Sequence, residues 1–552
     1  MKKLSYIAAV LMSFGLASCS LDSENLTDST SENFPKTEKD ATASLAAIYE
    51  NLNAVNATPQ TSFYYLSMLA SDDNLGGGGA NDKLMQALDL MCNYNANMTE
   101  QFYKDRYEGI GRANALIQSL DVETPILPEE INAQDLGEAL ALRAFYYYEL
   151  ASQYGVVPLN LTPTDDNSQG DAKTLWGQIL LDLKRAVDMM PAQQLTNGHI
   201  DKYTAEALLA RVWLFYTGFY CNGEDIAALT SKNYNPLTSV ELPDGTTLTK
   251  AEVINYIDDC VYNSGYTLVD DYRTLWAYTN KYSVEEYSYT KGQNLVWVEN
   301  DNAINPESMF AIKFNKLASW NTTIGYGNGY ALHFGIRGGQ DVDKTFPFGQ
   351  GWGAGPVAPN LVNDWKAAEP TDIRLDASIQ DLRELPAYQF GGATWADFIQ
   401  ETNYFEKKQA AIAGTDGDGN YQPCFEVYMY GDKDWSNGVN FQTSNIHDLV
   451  LLRFADVLLM QSELKEDVEG INRVRDRVGL SPVANYDLKV LQAERRWELA
   501  FEGVRWNDIR RWHIAAEALD KQTNQPTYSR GVADRNTAHA GWAGSDSEYQ
   551  GW

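Results

Sequence analysis

The chain has no long run of lysine or arginine, and its 43 basic residues stand against 75 aspartates and glutamates. A polyphosphate must be met by a basic patch, so a formal net charge of −32 argues against a nucleic-acid ligand. Such a surplus favours solubility and a neutral or cationic ligand. Cysteine is scarce. Beyond Cys19, only Cys92, Cys221, Cys260 and Cys424 remain, widely spaced and without a CxxC, which points to buried thiols rather than a metal finger. The five histidines, His199, His333, His447, His513 and His539, are far apart in sequence and suggest no metal cluster. There is no P-loop, no HExxH and no GxSxG. GQGWGAGP (349–356) has the glycines of a dinucleotide fingerprint but not their spacing, and DGDGNY (416–421) opens like a calcium loop but has Val427 where the bidentate glutamate belongs. Neither a metal nor a cofactor is expected. With 75 carboxylates, some pair at glycosidase separation arises by chance, so paired acids alone argue nothing.

Past the amino terminus no stretch reaches the roughly eighteen apolar residues of a membrane-spanning helix. The amino terminus itself, MKKLSYIAAVLMSFGLASC, has two lysines, a short apolar run and small residues, the pattern of a signal peptide over 1–18. Leu16-Ala17-Ser18-Cys19 resembles a bacterial lipobox, in which the cysteine is lipidated, so acyl chains on Cys19 would hold the protein on a membrane. The polar, acidic stretch 19–36 reads as a flexible tether.

From Asp40 the periodicity is helical, with Leu45, Ile48 and Leu52 spaced by three and four. EALALRAFYYY (138–148) and EALLARVWLFY (206–216) share Glu, Ala, Leu, Arg and the final Tyr and the same apolar pattern at an offset of 68, twice the 34-residue tetratricopeptide period. These segments read as interlocking helix pairs, their aromatics as core. The texture then changes: 262–352 is dense in tyrosine, tryptophan and phenylalanine mixed with glycine and asparagine, with NLVWVEN and SMFAIKF as short strands among long loops. Helical periodicity returns with LVLLRFADVLLMQSELKE (449–466) and continues through ERRWELAFEGVRWNDIRRW (494–512). That last stretch holds five arginines but also Glu494, Glu498, Glu502 and Asp508, so its charges are expected to pair within the scaffold. Trp497 and Phe501 read as an i,i+4 pair, and Gly503 as the break in the helix.

HDLVLLRFADVLLMQSEL, INRVRDRVGL and ERRWELAFEGVRWNDIRRW, with LGEALALRAFYYYELASQYGVVPL, YEGIGRANALI and GWGAGPVAPNLV, resemble the successive signatures of the SusD/RagB family. The resemblance implies a mainly α fold on about four tetratricopeptide-like helix pairs, with an irregular loop-rich insertion carrying short strands. The domain would run over 37–552, its scaffold over 37–220 and 445–522 and its aromatic ligand-binding region over 221–444. It further implies a lipid-anchored protein on the outer-membrane surface that binds oligosaccharide or polysaccharide without cleaving it and delivers it to a SusC-like TonB-dependent transporter. A surface glycoside hydrolase or lyase, and a peptide-binding member of the family, are the alternatives.

Sugar rings present apolar faces edged by hydroxyls, which aromatic rings and amide or carboxylate side chains complement. Two regions offer that mixture. In SDDNLGGGGANDKL and NYNAN the candidates are Asp73, Asn81, Asp82, Tyr94 and Asn95, beside four glycines that would let backbone approach a ligand closely. In the aromatic middle they are Tyr282, Tyr287, Tyr289, Trp320, Asn321 and Tyr326.

Overall fold

The computed structural model describes residues 35–54, 59–94, 99–165, 167–220, 234–315, 327–338, 345–385, 388, 397–415, 418–429, 441–523, 525–530 and 549–551. Among them, eight scaffold helices pack in chain order: α1 (Glu38–Ala54), α2 (Glu100–Leu120), α3 (Glu129–Tyr154), α4 (Ala172–Met189), α5 (Lys202–Phe219), α6 (Lys250–Asn263), α7 (Phe454–Lys465) and α8 (Glu469–Arg477). Each lies against the next, which gives four consecutive pairs. Local chemistry starts them cleanly. Asp171 and Asp201 accept the Thr174 and Thr204 backbone N–H groups at 2.7 Å, and Thr249 with Glu252 closes a capping box on α6.

The two matched segments fall on α3 and α5, the first helices of successive pairs. The 68-residue offset is therefore one helix pair and its connections, not two 34-residue units. The reason is length: α3 alone runs 26 residues, and residues 155–171 separate it from α4. Residues 136–152 of α3 are buried on every side, as a helix sandwiched between neighbours must be.

The chain leaves this array after α6 and re-enters it at α7, and the stretch between supplies the irregular part. Strands β1 (Ser308–Ile312) and β2 (Leu449–Arg453) pair antiparallel with Leu449 opposite Ile312 and splice it to the scaffold. SMFAIKF is thus a strand as expected, whereas NLVWVEN is not. Its Trp297 is buried and packs edge-on to Phe425. Many of the aromatics here build a second core around Tyr272, Trp276, Tyr278, Phe348 and Phe405. The carboxy-terminal Tyr549–Gly551 pairs with Cys92–Tyr94. Cys260 and Cys424 are buried, and the Cys424 thiol donates to Glu426 at 2.7 Å.

ERRWELAFEGVRWNDIRRW locks these parts together. Its first helix, α9 (Leu488–Leu499), stops before Phe501, which has φ 64°, so Trp497 and Phe501 do not form the expected helical pair. Trp497 instead stacks on Trp365, ring centroids 5.1 Å apart. Gly503 has φ +73° and faces the Tyr64 ring, where a Cβ would come within 2.7 Å. The arginines pair inside the fold: Arg495 with Asp456 (2.6 Å) and Asp508 (2.9 Å), Arg496 with Asp72 (2.9 Å), Arg505 with Asp72 (2.8 Å), and Arg511 with Glu463 (2.5 Å). Arg510 lies 4.7 Å over the Trp506 ring. The glutamates meet arginines from elsewhere, Arg374 reaching Glu494 (2.7 Å) and Glu498 (2.9 Å).

Candidate functional site

A cleft of about 850 Å³ opens where the α4–α5 connection faces the irregular region. One wall is the loop from Gln194 to His199, and the other comes from Glu299 to Asn305, β1 with Lys313 to Asn315, and Ile446 to Asp448. In β1, Met309, Phe310 and Ile312 are buried while Ser308 and Ala311 are only half-buried, and these small side chains leave room above the strand.

The lining is rich in neutral amides: Gln194, Asn302, Asn305 and Asn315. Its charged groups pair locally. Lys313 bonds Asp448, and His199 Nδ1 lies 2.7 Å from Glu138. His447 Nδ1 lies 2.6 Å from Glu426, which also accepts the backbone N–H groups of Ile446 and His447. Burial disfavours a charged imidazole at His447, but Glu426 outweighs it and raises the pKa. With Nδ1 engaged, the other ring nitrogen, Nε2, is buried and has no hydrogen-bond partner among the described residues. Glu299 is pushed up to about 7, first by burial and then by Asp448 nearby.

The irregular region also carries an aromatic shelf, formed by Phe346 and Tyr421. Phe346 stacks on Tyr421 with centroids 4.3 Å apart, and Tyr421 is 45% exposed. Tyr421 rises from a tight ladder in which Thr415 faces it, and the adjoining Gly414 backs onto Tyr282. Tyr282 is half-buried, with Lys281 Nζ 5.6 Å over its ring. Lys281 also bonds Asp301 at 3.0 Å, immediately before the cleft residue Asn302.

Of the predicted residues that are described, Tyr282 lies behind Gly414, packed against the second core. Three others are corrected by packing. Asp73 is buried against Arg496 at 2.7 Å. Tyr287 and Tyr289 pack with Tyr278 around the buried Lys407 ammonium, which lies 3.7 Å from the Tyr289 ring centroid and 5.3 Å from that of Tyr287. Asp82 accepts the Gly79 N–H at 2.7 Å and an Arg337 N–H at 3.3 Å, and Asn81 beside it is exposed; neither lines the cleft. Tyr94 stands opposite Tyr549 on its strand. Asn95, Trp320, Asn321 and Tyr326 lie outside the described residues. Asn315, which precedes the segment 316–326, lines the cleft, and Asn328, which follows it, donates to the Asn445 and His447 carbonyls on the cleft wall.

The four glycines serve the protein rather than a ligand. Gly76–Gly79 are buried, Gly78 donates to the Gly353 carbonyl at 2.8 Å, and a Cβ on Gly77 would come within 2.2 Å of that same oxygen. Sequence reasoning missed His447, the cleft asparagines, and the Phe346–Tyr421 stack. The stack alone left a trace, an aromatic closing the polar turn DGDGNY.

Two family models cover most of the chain: one described as the SusD family matches residues 284–551, and one described as starch-binding associating with outer membrane matches 21–214. The chain belongs to the SusD/RagB family. SusD-like protein P2 of Formosa agariphila is 24% identical over 522 residues, 90% of this chain and 88% of its own. Among solved structures, a laminarin-binding SusD-like protein superposes with a TM-score of 0.66 at 24% identity, covering 88% of this chain and 94% of its own. Surface glycan-binding protein A from Bacteroides thetaiotaomicron, in complex with laminarihexaose, gives 0.62 at 19% identity, covering 93% and 95%. These similarities establish a SusD-like, mainly helical fold. No helix among the described residues is long and apolar enough to cross a membrane.

Proposed function

We propose that this SusD-family protein is a cell-surface glycan-binding lipoprotein, anchored in the outer membrane through Cys19. It captures a neutral oligosaccharide or polysaccharide and passes it, uncleaved, to a TonB-dependent transporter. The observation that carries this reading is the amide-lined cleft, taken together with the Phe346–Tyr421 stack, whose Tyr421 ring is exposed. Amides suit ring hydroxyls, and stacked aromatics suit the apolar faces. Relatives described as binding laminarin and laminarihexaose support the ligand class. The family model described as associating with outer membrane supports the location. The transporter rests on the family resemblance.

Titration calorimetry with laminarihexaose and maltohexaose tests the site. Tyr421→Ala and Trp320→Ala are each expected to weaken binding by about 1–3 kcal/mol, the range for losing an aromatic anchor. Unchanged affinity in both variants, with the fold intact, removes Tyr421 and Trp320 from the site. A second reading has one observation in its favour. Glu299, raised to about 7, and Asp448 line the same cleft, as an acid and a carboxylate do in a glycoside hydrolase. Release of reducing ends from either oligosaccharide by the purified protein would replace the binding-only reading with that one.

A further inference from the structure

A second groove, of about 590 Å³, runs along α2 on the scaffold and shares no lining residue with the cleft. Its floor follows one helical face, Tyr103, Tyr107, Gly111 and Ala115, each four residues after the last. The two tyrosine rings lie 4.7 Å apart at one end, half-buried, with the Tyr107 hydroxyl fixed on the Pro158 carbonyl at 2.6 Å. The facing wall is the loop 158–167, held in shape by Asp165, which accepts the Leu161 and Thr162 backbone N–H groups. Asn160 on that wall turns its amide nitrogen to Asn167 at 2.6 Å, and its Oδ1 is buried with no partner among the described residues.

Gly111 is the telling position. Gly109, two residues earlier, is demanded by packing, since a Cβ there would come within 2.6 Å of Asn51. At Gly111 a Cβ would meet nothing within 4 Å. Glycine inside a helix costs about 1 kcal/mol relative to alanine. Neither packing nor backbone conformation requires it, so its effect is to keep the groove open.

We propose that this groove is a second oligosaccharide-binding site, which holds a neutral sugar chain with Tyr103 and Tyr107 against ring faces and the exposed Gln118 amide on hydroxyls. The lining favours that occupant over the alternatives. Its one charged side chain, Asp165, is engaged within its own loop, so the groove offers no cation to an acidic ligand. It offers no strand edge to an extended peptide among the described residues either. The site does not depend on the cleft reading, because the two share no residue.

Full-length protein in detergent, titrated with laminarihexaose and with maltohexaose, tests the proposal. Gly111→Arg fills the groove at a position where the helix tolerates a side chain, and Tyr103→Ala removes one ring face. The expected result is two binding events in the unsubstituted protein. Gly111→Arg should abolish one, and Tyr103→Ala should weaken it by about tenfold. Tyr421→Ala should leave that event untouched and weaken the other. Identical isotherms for the unsubstituted protein and Gly111→Arg overturn the proposal, as does loss of all binding in Tyr421→Ala. Loss of all binding in Gly111→Arg with none in Tyr421→Ala would keep this site and refute the cleft. No heat with either sugar, and no retention on an array of neutral polysaccharides, would refute both.

Discussion

Replacing Glu498 by glutamine should cost the fold about 3 kcal/mol, the lower end of the range for breaking a buried charge pair. Glu498 is fully buried on α9, where it receives Arg374 at 2.9 Å, Arg453 at 2.5 Å, and Arg477. Glutamine keeps the shape and one acceptor but not the charge. The remaining partners decide the magnitude. Arg374 keeps Asp372 and Glu494, both at 2.7 Å; Arg453 keeps Glu307 and Glu502, both at 2.7 Å; Arg477 keeps Glu307 at 2.8 Å. No arginine is left without a carboxylate, which is why the loss falls at the low end. Burial alone would raise the Glu498 pKa, but Arg477, Arg453 and Arg374 outweigh it and hold the carboxyl well below its ordinary 4.5. Its stabilisation is therefore present above about pH 4.5 and is lost as the pH falls toward the lower folded value. Urea unfolding followed by tryptophan fluorescence, at pH 7 and in steps below pH 4.5, measures both effects. The gap between the parent and Glu498→Gln should shrink as the pH drops. A difference at pH 7 of under about 1 kcal/mol would refute the reasoning, because the pair would then be behaving like a solvent-exposed one.

Gly77→Ala should destabilise by about 2–4 kcal/mol in the same assay, since φ is +69° and the new Cβ would strike the Gly353 carbonyl. A neutral result would show that the glycine loop can move off that carbonyl. Cys19→Ala should release the protein from the membrane fraction of intact cells, and retention of the variant would count against the lipid anchor.

The scaffold was legible because each of its signals has one physical cause. Helical spacing in EALALRAFYYY reports burial, and residues 136–152 are indeed buried on every side. Even there the period misled, since a 68-residue repeat fits two short helix pairs as well as one long pair. Aromatic density misled for a similar reason. Tyr287 and Tyr289 have the same sequence surroundings as Tyr282, yet they close around the buried Lys407 while Tyr282 carries the exposed Lys281 ammonium. Local sequence does not distinguish a ring that stacks on a ligand from one that stacks on a buried ammonium. The four glycines carried the same ambiguity: close approach was correctly inferred, but the approaching group is the chain's own Gly353 carbonyl.

The contrast between ERRWELAFEGVRWNDIRRW and the cleft follows from energetics. Each buried arginine in that stretch needs its carboxylate or aromatic partner, because leaving a charge unpaired there costs several kcal/mol. The pattern of charges is therefore tightly specified and announces itself in one linear run. The cleft has no such requirement. Asn302, Asn305 and Asn315 are neutral, and each can leave the lining at the cost of a hydrogen bond or two, about 1 kcal/mol apiece. His447 is fixed by Glu426, but the two are 21 positions apart and meet only in the fold. A surface that recognises a neutral ligand through many weak contacts thus leaves little mark on any short stretch of sequence. The same reasoning gives Gly111 its weight, because there the sequence bears a local cost that the fold itself does not require.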